Sequence, residues 1–332
     1  MNLQEIAAIM TGNGKGILAA DESNGTCGKR FDSVGIEVNE ENRRLYRQML
    51  LTTPELENYI GGVILYDETF RQKDDSGQTF PELLNSRGIL PGIKVDMGLK
   101  DLVNFPGEKH TSGLDGLRER LAEYAKLGAK FAKWRAALTI TDELPSHNAI
   151  HTSAHELAHY AALCQEAGIV PIVEPEVLIN GTHSIERSEK VMVEVLTIVF
   201  KELAKFKVDL TGMVLKPSMV IAGSECADQA SVEKVAEMTV KVLKDCVPAN
   251  VAGIAFLSGG QTEIQATENL NEMNAKNDLP WNLTFSYGRA LQSSALNLFA
   301  GKNVDGAQAS LAHRSKMNSL ASKGEYSAGD EK

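Results

Sequence analysis

Short apolar runs alternate with longer amphipathic segments along the whole chain, and this alternation limits the fold more than any other property of the sequence. Such a pattern is typical of parallel strands joined by crossover helices. Equivalent polar residues in five successive runs, from Lys94 to Ser258, lie 39, 41, 42 and 42 residues apart, which is room for one strand, one helix and two loops. The predicted strands are Gly16–Asp21, Gly61–Tyr66, Gly92–Asp96, Lys130–Arg135, Ile169–Glu176, Gly212–Lys216, Ala252–Ser258 and Asn282–Ser286.

Eight such units follow one another without a Gly/Pro/Ser-rich linker, which favours one closed (β/α)8 barrel, the TIM-barrel class of α/β fold. The alternative, a doubly wound open sheet, typically has about six strands. Extra terminal helices are predicted at Gln4–Met10 and Asn303–Lys323. We therefore expect a single barrel domain over residues 1–324, and a polar, mobile C-terminal tail over residues 325–332.

The net charge of −10, from 34 Lys and Arg against 44 Asp and Glu, argues against a nucleic-acid partner or an anionic membrane partner. Neither an apolar leader at the start nor a run of 18 apolar residues is visible, so secretion and membrane spanning are not expected. The cysteines form no C-x-x-C pair, which fits a reducing, cytoplasmic location; they are Cys27, Cys164, Cys226 and Cys246.

Six of the eight predicted strands end in charged or polar residues instead of the apolar residues expected in a buried parallel strand. The carboxyl ends of barrel strands are where catalytic groups lie, and a buried charge without a partner costs several kcal/mol. Any one of these residues could belong to a structural ion pair. Six ends together predict one shared pocket; they carry Asp21, Lys94, Lys133 with Arg135, Glu174 with Glu176, Lys216, and Ser258.

Lysines in such a pocket indicate amine chemistry, because a neutral amine beside other cations can attack a carbonyl to form a Schiff base. Lys216 is the best candidate, since it ends an apolar run and Pro217 follows it. Lys94 and Lys133 would be its cationic neighbours. Glu174 and Glu176 are two residues apart, face the same side of a strand, and could act as an acid and a base.

Two anion sites are also predicted at the mouth of the barrel. The turn Ser258-Gly259-Gly260 and the helix start Gly288-Arg289 offer backbone N–H groups and a guanidinium, where barrels commonly bind phosphate. A plain turn is the alternative interpretation of Ser-Gly-Gly. A second anion site would draw on Ser23, Lys29, Arg30, Lys94 and Arg135, which would suit a substrate phosphorylated at both ends.

The segment His155-Glu156-Leu157-Ala158-His159 matches H-E-x-x-H, a zinc-peptidase signature. The apolar stripe of its helix includes Leu157 and Ala161, so both histidines are predicted to point away from the sheet. A catalytic zinc would need a third ligand and a cleft, for which the sequence offers only His151. Solvated helix histidines are therefore the preferred interpretation.

The strand ends and their neighbours resemble those of the class I fructose-1,6-bisphosphate aldolase family, from near the start of the chain to about Tyr326. The motifs that carry the resemblance are long and numerous: GKGILAADESNGTCGKR at Gly14–Arg30, GIKVDMG at Gly92–Gly98, the segment Gly113–Arg135 ending in FAKWR, IVPIVEPEVL at Ile169–Leu178, VLKPSM at Val214–Met219, FLSGGQ at Phe256–Gln261 and LTFSYGRAL at Leu283–Leu291.

The resemblance implies reversible cleavage of fructose 1,6-bisphosphate to dihydroxyacetone phosphate and glyceraldehyde 3-phosphate in glycolysis and gluconeogenesis. It implies a lysine Schiff base, no cofactor, no metal and a homotetramer. By position, Lys216 matches the Schiff-base lysine, Glu174 the acid/base of imine formation and Asp21 the acceptor of the C4 hydroxyl proton. Further matches are Lys133 and Glu176 as supporting residues, Ser258, Gly259, Gly288 and Arg289 at the C1 phosphate, and Ser23, Lys94, Arg135, Lys29 and Arg30 near the C6 phosphate.

Many members of this family end in a longer tail whose terminal tyrosine assists proton exchange on the enamine. This sequence ends Asp330-Glu331-Lys332, and Tyr326 precedes the point where that tail would begin. We therefore expect enamine protonation to be slower or to use another group, such as the substrate's own phosphate. A non-catalytic scaffold of this family would require the loss of Lys216 or Glu174, and both are present.

Overall fold

The computed structural model describes residues 1–276 and 278–331 and contains a closed barrel of eight parallel strands within that part of the chain. Its strands are β1 Gly16–Ala20, β2 Ile60–Leu65, β3 Leu90–Lys94, β4 Leu99–Asp101, β5 Lys109–Thr111, β6 Phe131–Leu138, β7 Val170–Val177, β8 Val214–Leu215, β9 Gly253–Phe256 and β10 Leu283–Tyr287. The order around the barrel is β1-β10-β9-β8-β7-β6-β3-β2, while β4 and β5 form a separate antiparallel pair. The predicted fold class is confirmed.

Helices lie between successive barrel strands and at both ends of the chain. They are α1 Leu3–Thr11, α2 Asn24–Val34, α3 Glu40–Leu51, α4 Leu56–Tyr59, α5 Asp67–Arg71, α6 Phe80–Ser86, α7 Leu117–Lys126, α8 His147–Glu166, α9 Ile185–Lys205, α10 Val232–Cys246, α11 Glu263–Ala275, α12 Arg289–Ala300 and α13 Val304–Ala321. Two short 3-10 helices span Leu210–Gly212 and Ala328–Glu331. The predicted terminal helices correspond to α1 and α13.

Helix α1 closes the amino-terminal end of the barrel. Its Ile6, Ala7 and Met10 pack in one cluster with inward-facing strand residues such as Phe131 and Val170. The helix lies so close that a Cβ at Gly61 would sit 2.3 Å from the carbonyl oxygen of Ile9, so only glycine fits there. With this end filled, the barrel opens at the carboxyl ends of its strands.

The C-terminal segment contacts α13 through Glu331. The Glu331 carboxylate accepts hydrogen bonds from Arg314 Nη1 at 2.6 Å and from the Tyr326 hydroxyl at 3.0 Å. Arg314 is itself buried within the helix packing. The division at residue 324 and the mobility of the tail stay predictions, and Lys332 lies outside the described residues.

None of the described helices combines the length and the apolar character that a membrane crossing requires.

Candidate active site

A cavity of about 670 Å³ opens at the carboxyl ends of the barrel strands. It brings together every residue that the family resemblance placed in a catalytic or phosphate-binding position. Those residues are Asp21, Ser23, Lys29, Arg30, Lys94, Lys133, Arg135, Glu174, Glu176, Lys216, Ser258, Gly259, Gly288 and Arg289.

Strand alternation explains why the charged side chains point into this cavity. Phe131 on β6 and Ile172 on β7 pack inside the barrel, and successive side chains of a strand alternate between its two faces. Lys133 is two residues after Phe131, and Glu174 is two after Ile172, so both point inward one layer higher. The same two-residue step places Arg135 and Glu176 at the rim of the barrel.

At the centre of the cavity, two lysines and two carboxylates form a continuous chain of ion pairs. Lys133 Nζ lies 2.8 Å from Asp21 Oδ2 and 3.1 Å from Glu174 Oε2. The other oxygen of Glu174, Oε1, lies 3.1 Å from Lys216 Nζ. All four residues are buried. Glu174 therefore contacts both Lys133 and Lys216, and Asp21 contacts Lys133.

Mutual attraction keeps Asp21, Glu174 and Lys133 ionised in this buried chain. Burial by itself would raise the pKa of Asp21, but the charges of Lys133 and Lys216 outweigh it and hold that pKa well below its ordinary value. The pKa of Glu174 is lowered in the same way, against burial, by Lys133 and Lys216. For Lys133, burial alone would lower the pKa, yet Asp21 and Glu174 raise it well above normal. The carboxylates are thus poised to accept protons only when a lysine charge is moved or neutralised.

One end of the cavity, which we call the near end, is built from backbone amides and a guanidinium. Gly259 follows β9 with a φ of 57°, a left-handed conformation that favours glycine. Gly288 precedes α12 without a side-chain cap, so the first amides of that helix are free to meet an anion. Arg289 has no carboxylate partner among residues 1–276 and 278–331.

The opposite end, the far end, contains Lys94, Arg135 and Ser23, and here the cations already have partners. Lys94 Nζ lies 3.1 Å from Asp96 Oδ1, and Arg135 pairs with Glu176. Ser23 caps α2, its hydroxyl accepting a hydrogen bond from the Thr26 amide. A phosphate here would meet cations that are held in place by carboxylates.

Arg30 lies close to the near end in the structure. The sequence grouped it with the far end, and its Nη2 lies 3.9 Å from the position a Cβ would take at Gly288. Arg30 also pairs with Glu22, which follows Asp21 at the end of β1. Helix α2, which carries Arg30, packs against α12, and this packing brings Arg30 near Gly288. Which phosphate Arg30 would bind stays a prediction.

The H-E-x-x-H residues lie outside this cavity and their side chains diverge. Glu156 is buried and accepts hydrogen bonds from the Thr111 amide at 3.0 Å and from His110. His155 lies on the other side of α8, with Nδ1 3.3 Å from Glu202 of α9. Among the described residues, no group of three or more His, Cys, Asp or Glu side chains could hold a metal ion.

Comparison with known proteins gives the same family over nearly the whole chain. The family model for class I fructose-bisphosphate aldolase matches residues 2–332. A probable fructose-bisphosphate aldolase class 1 of Xanthomonas axonopodis pv. citri is 54% identical over 328 residues, covering 98% of each chain. Fructose-bisphosphate aldolase 2 of Caenorhabditis elegans is 52% identical over 331 residues, covering 99% of this chain and 90% of the relative.

The chain belongs to the class I fructose-bisphosphate aldolase family. It is therefore an enzyme, a carbon–carbon lyase. A solved structure of the aldolase from Plasmodium falciparum, in complex with TRAP and a small molecule inhibitor, superposes with a TM-score of 0.97 at 48% identity, covering 98% of this chain and 95% of that one.

The aldolase cavity also contains residues that were not selected from the sequence. Asp96 was visible in the strand end that carries Lys94, and its acidic character at that position could have marked it. Glu22 directly follows Asp21, and its acidic character at a strand end could have marked it in the same way. Ser286 is buried on β10 inside an otherwise apolar run, and its hydroxyl has no hydrogen-bond partner among the described residues. Thr26, Ser33, Gly98, Leu99 and Leu257 complete the lining.

Proposed function

We propose that this aldolase cleaves fructose 1,6-bisphosphate reversibly through a Schiff base on Lys216. The observation that carries the proposal is the chain of ion pairs in which one carboxylate, Glu174, contacts both Lys216 and Lys133. An amine nucleophile needs a neighbouring group that takes and returns protons, and Glu174 is within 3.1 Å of the amine.

Imine formation begins when the neutral amine of Lys216 attacks the C2 carbonyl carbon of the open-chain sugar. Glu174 accepts the proton that leaves the amine, and Lys133 donates to the developing alkoxide. The carbinolamine then loses its hydroxyl as water, with the proton returned from Glu174, and leaves a protonated iminium. Because Glu174 lies between Lys216 and Lys133, these transfers need no large rearrangement of the site.

Carbon–carbon cleavage then uses the iminium as the electron sink. Asp21 accepts the proton of the C4 hydroxyl, the C3–C4 bond breaks, and its electron pair moves to the iminium nitrogen to form an enamine. The C4 fragment leaves as glyceraldehyde 3-phosphate. Asp21 suits this step because it is ionised and held by Lys133 at 2.8 Å. Protonation of the enamine at C3 and hydrolysis of the imine release dihydroxyacetone phosphate.

The two ends of the cavity would bind the two phosphates. Ser258, Gly259, Gly288 and Arg289 would bind the C1 phosphate, with Arg30 beside them. Lys94, Arg135, Ser23 and Lys29 would bind the C6 phosphate. Glu176 would support the site by holding Arg135. Holding both ends fixes the C2 carbonyl over Lys216, and such positioning supplies a large part of the rate of an enzyme.

The wider setting rests on the family. We propose that the enzyme acts in glycolysis and gluconeogenesis in the cytoplasm, as a homotetramer that needs no cofactor or metal. A cytosolic aldolase of Arabidopsis thaliana is 50% identical over 323 residues, which supports this location.

The test is borohydride trapping with dihydroxyacetone phosphate, followed by intact mass measurement and peptide mapping. We expect one covalent adduct on Lys216 and bisphosphate cleavage that a chelator does not affect. Absence of an adduct, an adduct on another lysine, or activity lost to the chelator would contradict the proposal.

A further inference from the structure

The two ends of the active cavity hold their cations differently. At the near end Arg289 has no carboxylate partner in the part of the chain that the structure describes. At the far end Lys94 Nζ lies 3.1 Å from Asp96 Oδ1, and the lysine side chain is only 16% exposed. Lys94 therefore already has an ionic partner, Asp96, before any phosphate binds.

Asp96 is itself held rigidly. Its Oδ1 accepts a hydrogen bond from the Gly98 amide at 3.2 Å, and its Oδ2 lies 3.4 Å from the Arg135 amide that donates to it. These amides belong to the loop after β3 and to β6, so the carboxylate bridges two adjacent strand ends. A side chain fixed by two backbone donors gives Lys94 a stationary partner.

A second cavity offers the Lys94 ammonium group an alternative position if the pairing with Asp96 is removed. This cavity, which we call the side cavity, has a volume of about 500 Å³ and shares Lys94 and Asp96 with the active cavity. The carboxylates of Asp67 and Glu123 line its other walls together with Arg71, which pairs with both of them. Lys94 Nζ already lies over the Tyr66 ring, 5.8 Å from its centroid. Because a lysine has four rotatable bonds, its ammonium can turn toward these groups unless it is tethered.

We propose that Asp96 is the positioning residue that holds Lys94 in the active cavity, and that it thereby sets the preference for sugars phosphorylated at both ends over sugars phosphorylated only at C1. This inference rests on the proposed function, in which Lys94 binds the far phosphate. Fructose 1-phosphate lacks that phosphate, so its cleavage does not depend on where Lys94 lies. Holding Lys94 in the active cavity therefore affects the cleavage of fructose 1,6-bisphosphate and not that of fructose 1-phosphate.

The experiment compares kcat/KM for fructose 1,6-bisphosphate with kcat/KM for fructose 1-phosphate in the full-length enzyme. Asp96→Asn is expected to lower the ratio of the two about tenfold, mainly through a higher KM for the bisphosphate, because a misplaced binding group loses much of its effect. Asp96 also lies among the charges that raise the pKa of Lys133, so both substrates can slow together; the ratio isolates the effect on Lys94. An unchanged ratio, or a higher one, would overturn the inference.

The Lys94→Met background separates positioning from a general structural effect. If Asp96 acts through Lys94, Asp96→Asn changes the ratio no further once Lys94 is absent. A further fall of the ratio in that background would show that Asp96 acts by another route. Asp101→Asn is the matched control: this carboxylate lies at the end of β4, five residues after Asp96, is 88% exposed and pairs with Lys109. Its ratio should equal that of the unaltered enzyme.

Asp96→Glu covers the case in which the asparagine variant does not fold. It keeps the charge but moves the carboxylate by one methylene group, so we expect a ratio lowered at least about twofold. A ratio equal to that of the unaltered enzyme would count against the tether. Failure of the proposed function is distinguishable, because the unaltered enzyme would then cleave neither sugar.

Discussion

Two regions of this aldolase carry rows of reactive side chains, and they differ above all in burial. At the barrel mouth, Lys133, Glu174 and Lys216 have side chains that are 5%, 4% and 4% exposed. The second region, which we call the histidine row, is formed by His147, His151, His155 and His159 on α8, one helical turn apart. Its first three side chains are 72%, 50% and 51% exposed.

The difference shows that burial strengthens the interactions between charged side chains. At the mouth, charges are removed from water, attract one another strongly and displace each other's pKa values in opposite directions. In the histidine row, the imidazoles are half or more exposed, so water weakens their pairs with the carboxylates of Glu194 and Glu202, although Glu202 itself is buried. Ionisable side chains therefore form strongly coupled ion pairs at the barrel mouth and modest pairs in the histidine row.

The largest effect is expected when the amine of Lys216 is removed from the barrel mouth. Lys216→Met removes the proposed nucleophile, and we expect kcat for fructose 1,6-bisphosphate to fall on the order of 10⁴-fold or more, with no borohydride adduct. Lys241→Met is the matched control, because that lysine pairs with Glu189 and is 63% exposed. Retention of a tenth of the activity in Lys216→Met would refute its role.

Removing one charge from the mouth should have the next largest effect. Glu174→Gln keeps the shape but cannot carry protons between the two lysines, so we expect kcat to fall about 10²- to 10³-fold. Single-turnover trapping should show that imine formation has become slow. In Glu166→Gln, which alters an exposed carboxylate paired with Arg118, kcat should stay near that of the parent. A Glu174→Gln enzyme that forms its imine at the normal rate would assign the proton transfer to another group.

The histidine row should influence stability and not catalysis. Burial, His155 and Arg118 lower the pKa of His159 below 6.5. The unfolded chain then takes up this proton at a higher pH than the folded chain does, so the folded state loses stability as the pH falls below about 6.5. His159→Gln removes this loss, and its Tm should fall less between pH 7.5 and pH 5.5 than that of the parent, by about 1 °C.

His147→Gln is the control for this titration, because its side chain is largely exposed. Thermal unfolding curves at several pH values measure the effect. A steeper decline of Tm in His159→Gln would mean that protonation of His159 stabilises the fold, which is opposite in sign to the effect expected from its lowered pKa.

The smallest effect is expected for the activity of enzymes altered within the H-E-x-x-H motif. His155→Gln combined with His159→Gln should leave kcat/KM for fructose 1,6-bisphosphate within about twofold of the parent, because both residues lie outside the active cavity. Steady-state assays with and without a chelator provide the measurement. A tenfold loss, or a loss on chelation in the parent alone, would revive the zinc interpretation.

Much of the barrel was predictable because its signals are local. Every predicted strand overlaps an observed one, although the run Gly212–Lys216 contributes only Val214–Leu215 as strand. The hairpin of β4 and β5 was not predicted. Its strands have three residues each, β4 is exposed throughout and β5 is only partly buried, so they show neither an apolar run nor a regular alternation.

The sequence predicted which residues line the candidate site, but not which of them contact one another. All the selected residues line one cavity, since strand ends in a parallel barrel meet at one face. The closeness of Arg30 to Gly288 could not be predicted, because it depends on how α2 packs beside α12. The buried partner of Glu156 was equally invisible, since His110 and Thr111 lie more than forty residues away in the sequence.

The sequence by itself determined the barrel and the identity of the charged strand ends, because spacing and two-residue alternation are properties of neighbouring residues. The tertiary structure alone decided which carboxylate contacts which lysine, and that Lys94 is tethered to Asp96 while Arg289 has no such partner within the described residues. The physical reason is that these pairs join strands and helices far apart along the chain, so their distances follow from packing and not from sequence separation.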